Sequence, residues 1–573
     1  MMKPEAITDQ LQRTLQFARE FSDPTGRMHD PYETEYGENY APACFSIVAA
    51  TLYRLHGRPE DRAWALRWGQ RSAAIMRGSP GLREYMLGYT AMIFGLLEPD
   101  AEIEALRQDY VSASLPAEPL SPFAHILALQ LIGDLLCPRS PASLARAATI
   151  VKKLEELWTP AGFPEDQSEG NDGSIPHAYL TVANLAVFLI ARPQSEQAQK
   201  LQPRIEALIT RSCDWFERVN GTAMVAAQAN RSYNQLWVFP LYALLAYVQR
   251  GEQAMPVVEK CLSTVTRATG NRRRSNFLPT ALSPYASGGN EPYNRVNNDV
   301  GAGGVGWALL AVLAAAGAKG LAQPLAPVLA PVFVDAAAGY ACFHGSAAGV
   351  LLPTKHFRWR YHYPLQPAWV VVGGAEAPFV GAKRSGVNNP YANLLAEPSK
   401  VSPLLEPYFG VMALETNGTH HVMQEPVETR AAHVFSAALR PDGAPLTAAS
   451  GRVSVQVQAD AGAVSLTYRI EGETPGGLWL SIPVLLWDGT AELHYRIAGA
   501  RVELDWQSRA YVLTATAPDG DGQKKAPSGA WLLRRERFLH TGFGVTGNFA
   551  FALGSAWLTN PTSTMCANLR LWT

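Results

Sequence analysis

The sequence predicts an α+β multidomain protein, with an N-terminal α/α toroid over residues 1–320 and a C-terminal antiparallel β-sandwich over residues 321–573. Three observations predict it. Apolar residues recur at intervals of three and four from Ile7 to about Leu313, which is the period of a helix with one buried face. An Ala/Pro/Gly-rich passage, Ala315 to Gly339, then interrupts the pattern. Beyond it the apolar period becomes two, as on a half-buried strand. A chain of 573 residues has room for two large domains.

The helices follow in order. Leu11, Leu15 and Ala18 make the first stripe, and Ile126, Leu127, Leu129, Leu131, Ile132 and Leu136 a broader one. Between and beyond them lie the stretches 44–55, 63–76, 85–97, 144–158, 178–190, 200–216, 235–248, 256–266 and 305–316. Gly57-Arg58-Pro59, Gly78-Ser79-Pro80 and Arg192-Pro193 punctuate them. Short links between so many helices imply antiparallel hairpins, and several helices are apolar on most of their surface, as an inner ring covered by an outer one would be. No sequence motif repeats from hairpin to hairpin, so a toroid, an incomplete barrel of helical hairpins, fits better than a consensus-repeat solenoid.

The strands follow the passage at 315–339. Val453, Val455 and Val457 alternate with Ser454, Gln456 and Gln458; Val464, Leu466, Tyr468 and Ile470 repeat the pattern. Leu493 to Ile497, Val502 to Trp506, Tyr511 to Thr516 and Trp531 to Leu533 extend it. Strands in succession with no helices between them make an antiparallel sandwich.

Composition narrows the function classes. Lys+Arg 49 against Asp+Glu 50 leaves a formal charge of −1, without the basic excess of a nucleic-acid binder. No apolar run reaches the length of about 18 residues that spans a membrane. Neither nucleic acid nor membrane is therefore an expected partner. The first residues do not read as a signal peptide, so the expected compartment is the cytoplasm, or the periplasm if a leader has been lost. Six cysteines lie far apart without a CxxC pair and are expected to be buried free thiols. Nucleotide, zinc-protease and nucleophile-elbow motifs are absent, and no cofactor or metal is expected.

The chemistry is expected in polar-aromatic loops that lead into strong helices. The first, Gly162 to Tyr179, gathers four acids with Asn171, His177 and Tyr179. His177 and Tyr179 follow Pro176, a favoured early helical position, and are read as facing one cavity; the bland alternative is a capping loop with Asp172 or Ser174 as the cap. The second carries Asn230, Arg231, Tyr233, Asn234 and Trp237, whose spacing places several on one helical face. Amides and flat aromatics suit a sugar, although a solvent-facing helix start has the same composition. The third carries Tyr293, Asn294 and Arg295, with a guanidinium suited to gripping a carboxylate. Near the N-terminus the tyrosines and Asn39 of the segment His29 to Tyr40 are read as a further wall, or as an exposed acidic loop. In the second half, alternation places Arg358, Arg360 and His362 on one strand face, either a positive wall for an anionic substrate or a solvated edge.

The toroid-then-sandwich order and these loops resemble the α/α-toroid polysaccharide lyases: heparinase II/III-like, alginate-lyase-like and chondroitin AC or hyaluronate lyase-like. The local piece Asn171-Asp172-Gly173-Ser174-Ile175-Pro176-His177 is similar to the Asp-Gly-Ser…His element of the chondroitin AC-like group, with a shorter Ser-to-His interval. The Asn-rich Trp motif of that group is missing. The resemblance implies β-elimination on a uronic-acid glycan, an anionic oligo- or polysaccharide. A neutralised C6 carboxylate makes the C5 proton acidic, a His or Tyr removes it, and a Tyr protonates the leaving oxygen. In those roles the resemblance implies Asn171 and Asn230 as neutralisers, His177 as base or neutraliser's partner, and Tyr233 or Tyr293 as proton donor. Tyr179, Arg231, Asn234, Trp237, Asn294, Arg295, Arg358, Arg360 and His362 would hold the sugar. Two alternatives stay open. A glycoside hydrolase would use a pair from Glu165, Asp166, Glu169 and Asp172. A non-catalytic carbohydrate-binding protein would use the same loops as a platform.

Overall fold

The computed structural model describes residues 5–29, 38–78, 83–114, 119–166, 173–191, 195–221, 226–227, 229, 236–270, 296–317, 330–355, 364–378, 408–415, 419–431, 433–441, 451–472, 477–487, 492–516, 531–536, 545–554 and 564–572. The chain divides into two compact units: Met1–Glu217 with Ser232–Ala281 and Gly289–Ala326, and Pro327–Thr573 with Arg218–Arg231 and Leu282–Gly288.

The first unit is helical. Its helices are α1 (Glu5–Glu20), α2 (Ala41–His56), α3 (Pro59–Gly78), α4 (Arg83–Leu96), α5 (Ala101–Ala113) and α6 (Ala124–Leu136), then α7 (Pro141–Leu157), α8 (Ile175–Leu185), α9 (Glu196–Asn220), α10 (Val238–Arg250), α11 (Met255–Gly270) and α12 (Val296–Ala315). Helix α5 is one that the apolar pattern does not reveal. Asp100 fixes its start, accepting from the backbone N–H groups of Glu102 and Ile103.

Composition decides which helices lie inside. Residues 41–52 of α2, 124–135 of α6, 175–185 of α8 and 238–249 of α10 are buried without a break, because these segments have almost no charged face to offer water. Helix α1, by contrast, buries one stripe, including Ile7, Leu11, Leu15 and Ala18. The inner helices α2, α4, α6, α8, α10 and α12 each pack on the next, and α12 packs back on α2, so the ring closes. Glycine permits that last contact. A Cβ at Gly301 would lie 2.9 Å from the Cβ of Cys44 in α2, and one at Gly306 would lie 2.9 Å from Pro240 in α10. Helix α12, which bears these glycines, packs on both α10 and α2. No described helix is long and apolar enough to cross a membrane.

The second unit holds two antiparallel sheets. The smaller has the order β1 (Val332–Asp335), β2 (Tyr340–His344), β3 (Gly349–Pro353), β4 (Trp369–Val372) and β5 (Ala375–Glu376). The larger contains β6 (Gly410–Leu414), β7 (His420–Ala431), β8 (Val434–Pro441), β9 (Arg452–Ala459), β10 (Ala463–Glu471), β11 (Gly477–Trp487), β12 (His494–Ala498), β13 (Arg501–Trp506), β14 (Arg509–Thr516), β15 (Trp531–Glu536), β16 (Val545–Gly554) and β17 (Thr564–Trp572). Its order is β12-β13-β14-β17-β10-β9-β8-β7-β6-β11-β16-β15. Alternation sets the register: Leu466 pairs with Val457 and Tyr468 with Val455, and all four side chains are buried in a core that both sheets share. The described cysteines Cys44, Cys137, Cys213, Cys261 and Cys342 are free and buried, as expected of inert thiols, and burial pushes Cys137 and Cys261 up to about 12.

Candidate active site

A buried polar cluster lies where three inner elements of the helical unit begin, and each member is held by local backbone chemistry. Helix α6 starts at Phe123, which has no capping side chain of its own. Asp166, far along the chain, supplies the missing acceptors. Its carbonyl accepts from the N–H of Ala124 at 2.9 Å and its Oδ1 from the N–H of His125 at 3.3 Å. A carboxylate here also meets the positive end of the helix dipole. The same Oδ1 lies 2.5 Å from Nδ1 of His125.

That contact fixes the tautomer of His125. An ionised carboxylate only accepts, so Nδ1 carries the hydrogen and donates it, leaving Nε2 as an acceptor. The Tyr85 hydroxyl lies 2.8 Å from Nε2 and donates to it. Asp166, His125 and Tyr85 thus form one directed chain. His125 is 2% exposed and Asp166 1%, whereas Tyr85 is partly exposed, so the chain leads from a dry interior to a half-buried tyrosine.

Helix α8 contributes His177. Ser174 is its N-cap, as the bland alternative had it, and its Oγ accepts from the N–H of His177 at 3.2 Å. The same Oγ sits 2.9 Å from His177 Nδ1, which directs the ring. The rings of His125 and His177 are 5.1 Å apart, and Trp237 meets His177 edge-on at 6.1 Å. Tyr40 stacks on Tyr85 with ring centres 4.8 Å apart and planes 12° from parallel. Ahead of Tyr40, Glu38 accepts from the Arg71 guanidinium and from the N–H of Met28 at 2.7 Å, and Asn39 turns the chain at φ +47°. One turn along α4, Tyr89 sits beside Asn184 of α8, and both are 1% exposed. Burial pushes the Tyr89 phenol well above its ordinary range, so it stays neutral beneath the site.

Of the residues expected from sequence, the structure brings His177 and Trp237 into this cluster. It corrects the placement of Tyr179. Two residues along a helix turn a side chain by about 200°, so Tyr179 faces away from the direction of His177. It is fully buried against Phe216, at 4.4 Å between ring centres, and Tyr242, at 5.7 Å, and it is a core residue rather than a wall of an opening. Asn171, Asn230, Arg231, Tyr233, Asn234, Tyr293, Asn294, Arg295, Arg358, Arg360 and His362 lie outside the described residues. Asp166 belongs to the cluster, but as the partner of His125 rather than as half of a carboxylate pair; among the described residues it is the cluster's one carboxylate. Sequence reasoning misses Tyr85 and His125 entirely. His125 is a lone ionisable residue at the head of an apolar helix, and the signal that could find it is that placement.

No family model matches the chain, and no curated protein matches it by sequence. Among solved structures, heparinase III aligns over 99% of this chain and 85% of its own at 11% identity, with a TM-score of 0.52. A mutant heparan sulfate lyase from Pedobacter heparinus aligns over 93% of this chain and 76% of its own at 10% identity, with a TM-score of 0.45. An unsaturated glucuronyl hydrolase from Bacillus sp. GL1 covers 54% of this chain and 95% of its own at 14% identity, with a TM-score of 0.35. The likeness to heparinase III is one of fold, and it runs across both units.

Proposed function

We propose that this chain is a carbohydrate lyase that cleaves a uronic-acid glycan by β-elimination, with Tyr85 as the group that moves the proton. The observation that carries this reading is the directed chain Asp166–His125–Tyr85. A free phenol titrates near 10 and is a poor base at neutral pH. His125 relieves that difficulty by taking the Tyr85 proton on Nε2, and Asp166 stabilises the imidazolium that results. The Tyr85 phenolate then takes the C5 proton, the C4–O bond breaks, and C4 and C5 become doubly bonded. The proton now on Tyr85 passes to the leaving oxygen, and the imidazolium returns its proton to the phenol side of the chain, so the protein ends as it began.

His177 stands beside this chain with Nδ1 held by Ser174, and its role is to face the sugar carboxylate whose neutralisation makes C5 acidic. Trp237, edge-on to His177, and Tyr40, stacked on Tyr85, supply the aromatic surroundings that a pyranose ring favours. The fold shared with heparinase III, and the action on anionic glycans that such a name denotes, support the choice of substrate class. A glycoside hydrolase would need a second carboxylate across the scissile bond.

The test is incubation with uronic-acid oligosaccharides, monitored by the ultraviolet absorbance of an unsaturated uronate. Wild-type protein should generate that chromophore, and Tyr85→Phe should lower turnover by about 10²–10⁴-fold, the usual worth of a positioned acid or base. Reducing ends appearing without the chromophore would instead mark a hydrolase. Binding without any product would mark a lectin-like protein.

A further inference from the structure

We infer that His125, Asp166 and His177 form a transition-metal site, and that an ion bound there switches the proton chain off. One ligating atom from each residue lies within 4.8 Å of the other two, and all three side chains are buried. Two imidazoles and one carboxylate are a nitrogen-rich, borderline donor set that suits Zn²⁺ or Co²⁺ rather than Ca²⁺ or Mg²⁺.

The second layer of contacts matches what such a site requires. A metal-bound histidine is normally oriented by a hydrogen bond from its other ring nitrogen. His177 has that support, because Nδ1 faces Ser174 Oγ, so that an ion would be taken by Nε2. His125 has it as well, because Nε2 faces the Tyr85 hydroxyl and leaves Nδ1, beside Asp166, to bind the ion. The three residues stand at the start of α6, at the start of α8 and in the turn that caps α6, so their backbones are fixed before any ion arrives. Metal–ligand distances of about 2.0–2.2 Å call for small side-chain rotations that close the longer gaps and part the Asp166–His125 contact.

The consequence for the proton chain follows from one tautomer change. Without metal, the imidazole hydrogen is on Nδ1 and the Tyr85 hydroxyl donates to Nε2. With metal on Nδ1, that hydrogen moves to Nε2, which then donates to the Tyr85 oxygen. No proton is gained or lost, but His125 can no longer accept the phenol proton. The inhibitory half of this inference rests on the lyase reading, and the binding half does not.

Chelator-treated full-length protein titrated with Co²⁺ tests it, with the visible d–d band as the readout. One equivalent should bind with the intensity of a four- or five-coordinate site. His177→Ala and Asp166→Ala should each weaken binding by more than tenfold, and Ser174→Ala, which leaves all three ligands in place, by about tenfold as outer-layer changes do. Circular dichroism identifies any variant that fails to fold, in which case Ser174→Ala decides. Co²⁺ affinity unchanged in the folded variants, or no band at one equivalent, overturns the site. Activity that persists with the site filled overturns the inhibition alone, and absent activity with normal Co²⁺ binding overturns the lyase reading alone.

Discussion

Each unit contains a buried histidine against a carboxylate, and the two pairs are built differently. In the helical unit, His125 meets Asp166 at 2.5 Å across 41 residues of chain, and its other nitrogen meets Tyr85. In the sandwich, His421 meets Glu415 at 2.6 Å across six residues of the β6–β7 hairpin, and its Nδ1 has no hydrogen-bond partner among the described residues. Asp166 is shut away from water, while the Glu415 side chain is 28% exposed. The distances are nearly equal, so distance alone does not make a proton-transfer device. What distinguishes the first pair is that the second nitrogen is engaged by the phenol of a half-buried tyrosine. The His421 pair is a contact between paired strands β6 and β7.

The comparison breaks most readily at Asp166. Asp166→Asn keeps an oxygen for the α6 N–H groups but removes the charge that stabilises the imidazolium, and should lower kcat by roughly 10³-fold or more, as at other His–carboxylate pairs. The melting temperature should fall only slightly. Equal losses of activity and of folded protein would reduce Asp166 to a helix cap. A second break lies in the ring that brings the pair together. Gly306→Val, whose side chain would run into Pro240, should destabilise the helical unit by about 1–3 kcal/mol in denaturant unfolding, the usual cost of overpacking. An unchanged midpoint would mean that α12 shifts freely.

The sandwich should respond to pH through a different histidine. Burial holds His344 below its ordinary 6.5, and the hydrogen bond it donates to the Arg218 carbonyl only partly opposes this. The folded value lies below the unfolded one, so folding favours the neutral ring. The stabilisation is present above pH 6.5 and is lost as pH falls through 6.5 toward the folded value. Unfolding midpoints of the sandwich measured across that range should decline for the wild type and decline less for His344→Gln; parallel slopes would exclude His344 as the cause. The smallest effect is expected at Glu415→Gln, which should leave turnover unchanged and shift stability by no more than about 1 kcal/mol, as for other part-exposed ion pairs. A loss of turnover there would erase the contrast between the two pairs.

Particular residues show which features are legible in the amino-acid order and which are not. The strands Val453–Gln458 and Val464–Ile470 are readable because alternation is imposed residue by residue, and they form β9 and β10. Ser174 and His177 are readable because a cap and the helix it starts are neighbours in sequence. Tyr179 is easily misplaced, because proximity in sequence is a poor guide to direction around a helix. Tyr85 and His125 carry no local signal, since each stands in a mostly apolar helix whose period reports burial and not the partner that a polar side chain will meet.

Hydrophobic period and capping act over a few residues, so the order of amino acids is enough to set the two-part architecture, the inner and outer helices and one half of the cluster. Joining Tyr85, His125 and Asp166 into one chain takes the packed fold. They lie 40 and 41 residues apart, and nothing short of the closed ring brings a phenol, an imidazole and a carboxylate from three elements within hydrogen-bonding distance.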